Sequence, residues 1–244
     1  CNGVTILKFP MLESLSGVEH LFTTKEGGVS KGEYATMNVS FTRGDEREDV
    51  LENYRRIGKI FDVELTDIVV SHQTHTTNVM RVTREDGGKG VVFDRDYQDI
   101  DGLITNEKNL VLCTMYADCV PLYFVDVKNM AIGLSHSGWK GTAGQMGKRT
   151  LERMAEEFGT KPEDVYAAIG PSICMDCYEV SADVIEAFSL IFTEREMEQI
   201  CYRKENGKYQ LDLWLANLIV LHKAGIRLEN VDVTDVCTCC NPEY

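Results

Sequence analysis

The chain has no positive charge to spare. Its 25 lysines and arginines face 39 aspartates and glutamates, which leaves a net charge of −14. Such a chain gains nothing from the counterion release that drives nucleic-acid binding. An anionic membrane surface repels it as well. No apolar run approaches the ~20 residues of a membrane span. No secretory leader is visible, since Lys8 is followed by Phe9-Pro10-Met11 and then by polar residues. Prolines number only five, and no linker rich in Pro, Gly or Ser, low-complexity tract or internal repeat divides the chain. Residues 1–244 therefore read as a single domain, long enough to bury roughly 70–75% of its unfolded surface without a disulfide or a metal. The nine cysteines are odd in number and read as reduced thiols of a cytoplasmic protein. The first residue is Cys1 rather than Met, so the start as given reads as trimmed.

Histidine is scarce too, at His20, His72, His75, His136 and His222. A blue-copper site alone takes two histidines and a cysteine. A multicopper oxidase needs a histidine-rich oxygen-reducing cluster besides, and five histidines cannot supply both.

What is present is a mixture of helical and strand patterns. Val50, Tyr54, Ile57 and Phe61 fall on one face of a helix over Asp45–Phe61. Ile68–Ser71 and Val79–Val82 read as short strands, and Gly87-Gly88-Lys89-Gly90 as a turn. Leu110–Met115, Pro121–Val127 and Ala131–Ser135 read as buried central strands, the last two joined by a tight turn at Lys128-Asn129. Helices are expected over Thr142–Phe158, Glu179–Phe192 and Asp212–Ala224, with Gly159 and Gly225 as stops. Further strands are expected at Val165–Ile169 and Val231–Val236. The elements alternate without a regular βαβ rhythm, which favours an α+β fold.

Three polar residues stand at strand ends beside apolar runs: His75, Cys119 and His136. Two imidazoles and a thiolate make a zinc set with a fourth position open for water or substrate. The same trio suits a cysteine nucleophile with a histidine base, and ordinary half-buried residues would look the same in sequence. His72 lies three residues before His75, so on a strand the two point to opposite faces and only one serves as a ligand. His20 and His222 read as surface or satisfied core residues. Gly138, Gly141 and Gly144 surround an expected helix start after His136, where backbone N–H groups suit an anion. The loop is not a Walker A motif, because Gly147-Lys148 is followed by Arg149. Two C-x-x-C pairs, Cys174/Cys177 and Cys237/Cys240, read as reduced packing or rim residues. A four-thiolate metal site would require the pairs to meet in space, across a gap far longer than in a zinc ribbon. The zinc-deaminase signature is absent, since Pro171 is not adjacent to Cys174 and no H-x-E occurs.

Three segments together resemble a known family: Gln73-Thr74-His75, Tyr116-Ala117-Asp118-Cys119-Val120-Pro121, and His136-Ser137-Gly138-Trp139-Lys140-Gly141. They resemble the signature segments of the laccase-domain (YfiH-like) proteins, often labelled multicopper polyphenol oxidases. Gly27-Gly28-Val29-Ser30, Asn38-Val39-Ser40, Gly44-Asp45, Asp101-Gly102-Leu103-Ile104-Thr105, Ile169-Gly170-Pro171, Tyr178-Glu179-Val180 and Cys237-Thr238 fit in the same order. The resemblance implies a four-layer α/β/β/α sandwich with a mixed sheet, and zinc held by His75, Cys119 and His136, with copper as the alternative metal. It implies a purine nucleoside phosphorylase that cleaves adenosine, inosine and S-methyl-5'-thioadenosine with phosphate. Adenosine deamination is implied as a second activity, for which zinc would lower the pKa of a bound water. The partners are then a purine nucleoside and phosphate, with no nucleic acid or membrane, in a monomer or a homodimer. Substrate contacts are expected from Arg43, Asn38, Asp118, Gly138 and Gly141. The family's pattern continues past the final cysteines with aromatic residues and arginines, whereas Asn241-Pro242-Glu243-Tyr244 follow here. If that tail is missing, arginines near the active site are missing with it. Two other activities fit the residues: a Cys–His hydrolase or amidase using Cys119, and a copper-dependent phenol oxidase.

Overall fold

A computed structural model of the chain describes residues 3–244. Its centre is a six-stranded mixed sheet in the order Val231–Val233, Val165–Ile169, Val120–Asp126, Ala131–Ser137, Gly102–Thr105, Val79–Arg81. The two outermost pairs are parallel and the three inner pairings antiparallel. Val120–Asp126 and Ala131–Ser137 form a hairpin in which Val120 faces Ser137 and Asp126 faces Ala131. The Asp126 carboxylate closes its turn by accepting from the N–H groups of Lys128 and Asn129 and from Asn129 Nδ2.

Side-chain alternation along these strands builds the layers. Ile104, Leu122, Phe124, Ala167 and Ile169 face the helices Met146–Phe158, Ala182–Ser189 and Leu213–Lys223 in the main core. Leu103 and Leu134 point the other way, onto Val69 and Leu112. These belong to a two-stranded parallel sheet of Ile68–Val70 and Val111–Cys113. The opposite face of that small sheet, Ile68, Val70, Val111 and Cys113, packs on Val50, Leu51 and Tyr54 of the helix Arg47–Phe61. The result is helix, sheet, sheet, helix, as the α/β/β/α expectation required.

Several expected elements are corrected. Leu110–Met115 contributes only Val111–Cys113, and not to the central sheet. Its apolarity reflects burial between the main sheet and a helix, which sequence does not distinguish from sheet membership. The helix over Thr142–Phe158 is two pieces, Trp139–Ala143 and Met146–Phe158, broken where Gln145 adopts φ 59°. Glu179–Phe192 begins as an extended pair, Glu179–Val180, matched to Tyr209 and Gln210. The helix proper is Ala182–Ser189. The strand Gly102–Thr105, fully buried inside the main sheet, had no local signal of its own beyond four residues. Asp212 caps the helix Leu213–Lys223 by accepting from Leu215 N–H, and Gly225 follows its end at φ 103°. No helix among the described residues is long and apolar enough to cross a membrane.

Candidate functional site

Cys119 directly precedes the strand Val120–Asp126, and His136 lies near the end of its hairpin partner Ala131–Ser137. The hairpin register therefore sets the thiol beside the backbone just past His136. Asp101 directly precedes Gly102–Thr105, the next strand in the sheet. His75 comes from the loop between Val70 and Val79, where it takes the left-handed conformation at φ 65°. That conformation is uncommon for a residue with a Cβ, and Asp101 holds it. The Asp101 carboxylate accepts from Thr74 N–H at 3.1 Å, His75 N–H at 3.0 Å and Thr76 N–H at 2.8 Å, and from Thr76 Oγ1 at 2.9 Å.

The same carboxylate lies 2.8 Å from His136 Nδ1. Asp101 is fully buried. Burial opposes its charge, yet the hydrogen bonds from His136 and from the Thr76 and Thr74 N–H groups outweigh that and bring its pKa down to about 2. An ionised carboxylate only accepts, so Nδ1 of His136 carries a proton toward Asp101, and Nε2 is the ring nitrogen left facing the cluster. Burial also disfavours charge on His136, but the bonds with Asp101 and Cys119 push its pKa up to about 9. Burial, and then the neighbouring His136, lowers the pKa of His75.

The three donors converge. One ligand atom each from His75, Cys119 and His136 lie within 4.8 Å of one another. Cys119 Sγ is 3.9 Å from His75 Nε2, and the two imidazole rings meet edge to face at 4.9 Å between centroids. Gly138 keeps this space open, because a Cβ there would sit 2.7 Å from Cys119 Sγ and 3.3 Å from His75 Cδ2. The trio is graded from exposed His75 through half-buried Cys119 to buried His136, so one side of the cluster faces solvent. Two nitrogens and a sulfur at this spacing suit a zinc-class ion with an open position. Tyr116 backs the site, its ring 5.7 Å from that of His136 and its hydroxyl donating to Ser135 O.

His72 is not part of the cluster. Its Nδ1 accepts from Asp99 N–H and its backbone bridges Ile100. The two histidines are separated by a tight loop rather than by strand alternation. His20 is a satisfied core residue, accepting from Phe9 N–H and stacked on the Phe9 ring. His222 Nδ1 lies 3.3 Å from Ile226 O.

The expected substrate residues are placed less directly. Asn38 organises its own loop, bonding Ser40 and the Asp45 carboxylate. The Arg43 side chain is exposed and makes no hydrogen bond with the trio. Asp118 accepts from Thr238 Oγ1 and, through its carbonyl, from Ile173 N–H, so it ties the Cys119 loop to two distant segments. Gly138 caps the five-residue helix Trp139–Ala143, and Gly141 packs inside that helix against His136 O. Behind it, Asn217 joins Ser137 Oγ, Thr142 Oγ1 and Leu213 O in a buried polar network. Asp101 was missed as a site residue. Its sequence signals were an acidic residue abutting a short apolar strand and its place in the family-like segment Asp101–Thr105, neither of which gave it a role. The C-x-x-C pairs are free thiols, as expected, and they meet in space: Cys174, Cys177, Cys237 and Cys240 bring all four sulfurs within 4.8 Å of one another. Cys1 lies outside the described residues.

Over residues 19–244 the chain matches the family described as multi-copper polyphenol oxidoreductase laccase. The chain belongs to this family. Within it, the chain is 37% identical over 221 residues to the purine nucleoside phosphorylase YlmD of Bacillus subtilis (strain 168), covering 89% of this chain and 78% of that one. It is 31% identical over 243 residues to the adenosine deaminase RL5 of an unknown prokaryotic organism, covering 97% of this chain and 90% of that one. The crystal structure of the Bacillus licheniformis hypothetical protein YfiH superposes with a TM-score of 0.90 at 31% identity, covering 98% of this chain and 88% of that one. The laccase-domain family thus includes proteins named for purine nucleoside cleavage and deamination, alongside its oxidase label.

Proposed function

We propose that this chain is a zinc-dependent purine nucleoside phosphorylase acting on adenosine, inosine and S-methyl-5'-thioadenosine, with adenosine deamination as a side activity. The observation that carries this reading is the convergence of His75, Cys119 and His136 within 4.8 Å, in a chain whose relatives include the named phosphorylase and deaminase. His75 Nε2, Cys119 Sγ and His136 Nε2 would hold the zinc. When bound, it supplies Lewis acidity toward the purine and, for deamination, acidity to a water.

The residues of the chain set the rest. In phosphorolysis a phosphate oxygen bonds to the anomeric carbon as the bond from that carbon to the purine nitrogen breaks. The bonding electrons and a proton end on the departing base, and ribose 1-phosphate remains. Positioning the two reactants supplies much of the barrier reduction. Asp101 keeps the His136 proton on Nδ1 and so keeps Nε2 directed at the cluster. Gly138 leaves the room beside Cys119 that a side chain would occupy. The exposed Lys140, in the helix that Gly138 caps, contributes a positive charge for phosphate. Arg43 and Asn38 remain candidate nucleoside contacts, and Gly141 a candidate phosphate contact.

Incubation of metal-quantified protein with adenosine, with and without phosphate, tests the proposal by chromatography. Adenine and ribose 1-phosphate should form only with phosphate, inosine in both samples, and Cys119→Ala should abolish all three. Absence of every product from folded, zinc-loaded protein would sink it. The 3.9 Å approach of Cys119 Sγ to His75 Nε2 supports a second reading, a Cys–His hydrolase. Rapid, pH-dependent alkylation of Cys119 in metal-free protein, together with inactivity on nucleosides, would favour that alternative. A copper oxidase reading requires tightly bound copper and oxygen consumption with a phenol, and five histidines leave it at most one small copper site.

A further inference from the structure

The parallel strands Val165–Ile169 and Val231–Val233 end side by side at one edge of the main sheet. The chain leaving each one carries a C-x-x-C pair. Pairing continues past the strands. Thr234 N–H donates to Ile169 O, Ser172 N–H to Val236 O, and Thr238 N–H to Ser172 O. Ser172 and Cys237 form a parallel bridge. This register brings together cysteines 63 positions apart.

Each pair folds as a tight turn. Cys177 N–H donates to Cys174 O, and Asn241 N–H donates to Cys237 O. The turns point their thiols inward at a common centre. Cys177 Sγ and Cys240 Sγ are 3.4 Å apart, and Cys174 N–H donates to Cys237 Sγ at 3.3 Å. The neighbouring Cys239 is exposed and outside the group.

We propose that Cys174, Cys177, Cys237 and Cys240 form a second metal site, a four-thiolate site for a single zinc-class divalent ion, separate from the His75–Cys119–His136 cluster. Tetrahedral zinc at ~2.3 Å from each sulfur has sulfur–sulfur edges of about 3.8 Å, which fits four sulfurs within 4.8 Å of one another. An iron–sulfur cluster distributes its thiolates over different irons and needs a wider cage. A disulfide needs about 2.05 Å, well inside the 3.4 Å separation of Cys177 and Cys240. Backbone N–H donation to sulfur stabilises thiolates, as at Cys237. Four ligands close the coordination sphere, so the site is structural rather than catalytic.

The clamp reaches the other cluster through one residue. Asp118, covalently adjacent to Cys119, accepts from Ile173 N–H and from Thr238 Oγ1. Ile173 directly precedes Cys174, and Thr238 directly follows Cys237. Metal at the four thiolates therefore fixes the two segments that hold the Cys119 loop.

The test uses the full chain purified under reducing, anaerobic conditions. A His75→Ala/Cys119→Ala variant retains only the four-thiolate site. It should hold one zinc per chain, and cobalt in place of zinc should give an intense sulfur-to-metal charge-transfer band with a tetrahedral visible spectrum. A Cys177→Ser/Cys240→Ser variant should lose one zinc relative to the unchanged chain and show a lower melting temperature. If this second variant does not fold, the first decides alone. Zinc content near zero in the His75→Ala/Cys119→Ala variant, or cobalt bound without the charge-transfer band, overturns the proposal. So does an intact mass showing two disulfides among these cysteines in the purified protein.

Discussion

Replacing Asp101 with Asn tests the central structural claim about the candidate active site. The carboxylate takes five donors on two oxygens. Oδ1 serves His75 N–H and His136 Nδ1, and Oδ2 serves the Thr74 and Thr76 N–H groups and the Thr76 hydroxyl. Asparagine keeps the shape but has one acceptor oxygen. If its NH2 faces the threonines, two backbone N–H groups are stranded and only the hydroxyl can rotate to compensate. If it faces the histidines, His75 N–H and His136 Nδ1–H lose their acceptor. Two donors stranded against the buried carboxylate, at up to about 1–3 kcal/mol each, give a loss of at most about 2–6 kcal/mol. The second orientation also drives the His136 proton to Nε2, where the proposed zinc would bind. Zinc affinity at this cluster should therefore fall roughly 10–100-fold. Urea unfolding of chelator-treated protein isolates the stability loss from metal binding, and competition with a chromophoric chelator measures the affinity. A stability change under about 0.5 kcal/mol, the range of an unconnected surface change, with unaltered zinc affinity, would refute this account of Asp101.

Gly138→Ala keeps an accessible backbone conformation at φ −70° but sets its Cβ 2.7 Å from Cys119 Sγ. Zinc occupancy by metal analysis should drop while the circular dichroism spectrum is retained. Asn217→Leu deprives Ser137, Thr142 and Leu213 of their shared partner and should cost about 2–4 kcal/mol in urea unfolding. At Asp126, burial works against the charge, but hydrogen bonds from Asn129 and Lys128 hold its carboxyl below the usual range. A carboxyl lowered on folding stabilises fully above its unfolded pKa of about 4 and loses that contribution as pH falls through the folded value. The unfolding difference between the unchanged chain and Asp126→Ala should therefore be large at neutral pH and shrink below about pH 4. Prolonged chelation should abolish nucleoside cleavage and lower the melting temperature, and added zinc should restore both.

Local pattern carried a good part of the fold. The helix Arg47–Phe61, the hairpin of Val120–Asp126 and Ala131–Ser137, and the helix stops at Gly159 and Gly225 follow from periodicity and turn chemistry. What failed was membership. Leu110–Met115 and Gly102–Thr105 are both short and apolar, yet the second lies in the central sheet and the first does not. Strand partners are chosen by long-range packing, which a short run does not encode. At the site, His75, Cys119 and His136 were legible as residue types at element ends. Asp101 was not, because an acidic residue before a strand looks like any turn residue until five donors are seen around it.

By itself, the sequence determined the chemistry available: two imidazoles and a thiol in recognisable segments, two C-x-x-C pairs, an acidic surface and an alternating α and β pattern in a single domain-length chain. Only the tertiary structure decided which of these groups meet. The hairpin register places Cys119 beside His136, Asp101 turns His75 inward, and two parallel strands bring cysteines 63 positions apart to one centre. Such meetings depend on strand pairing between segments far apart in the chain. The energy that selects them is the burial of whole sheet faces, and no stretch of local sequence contains it.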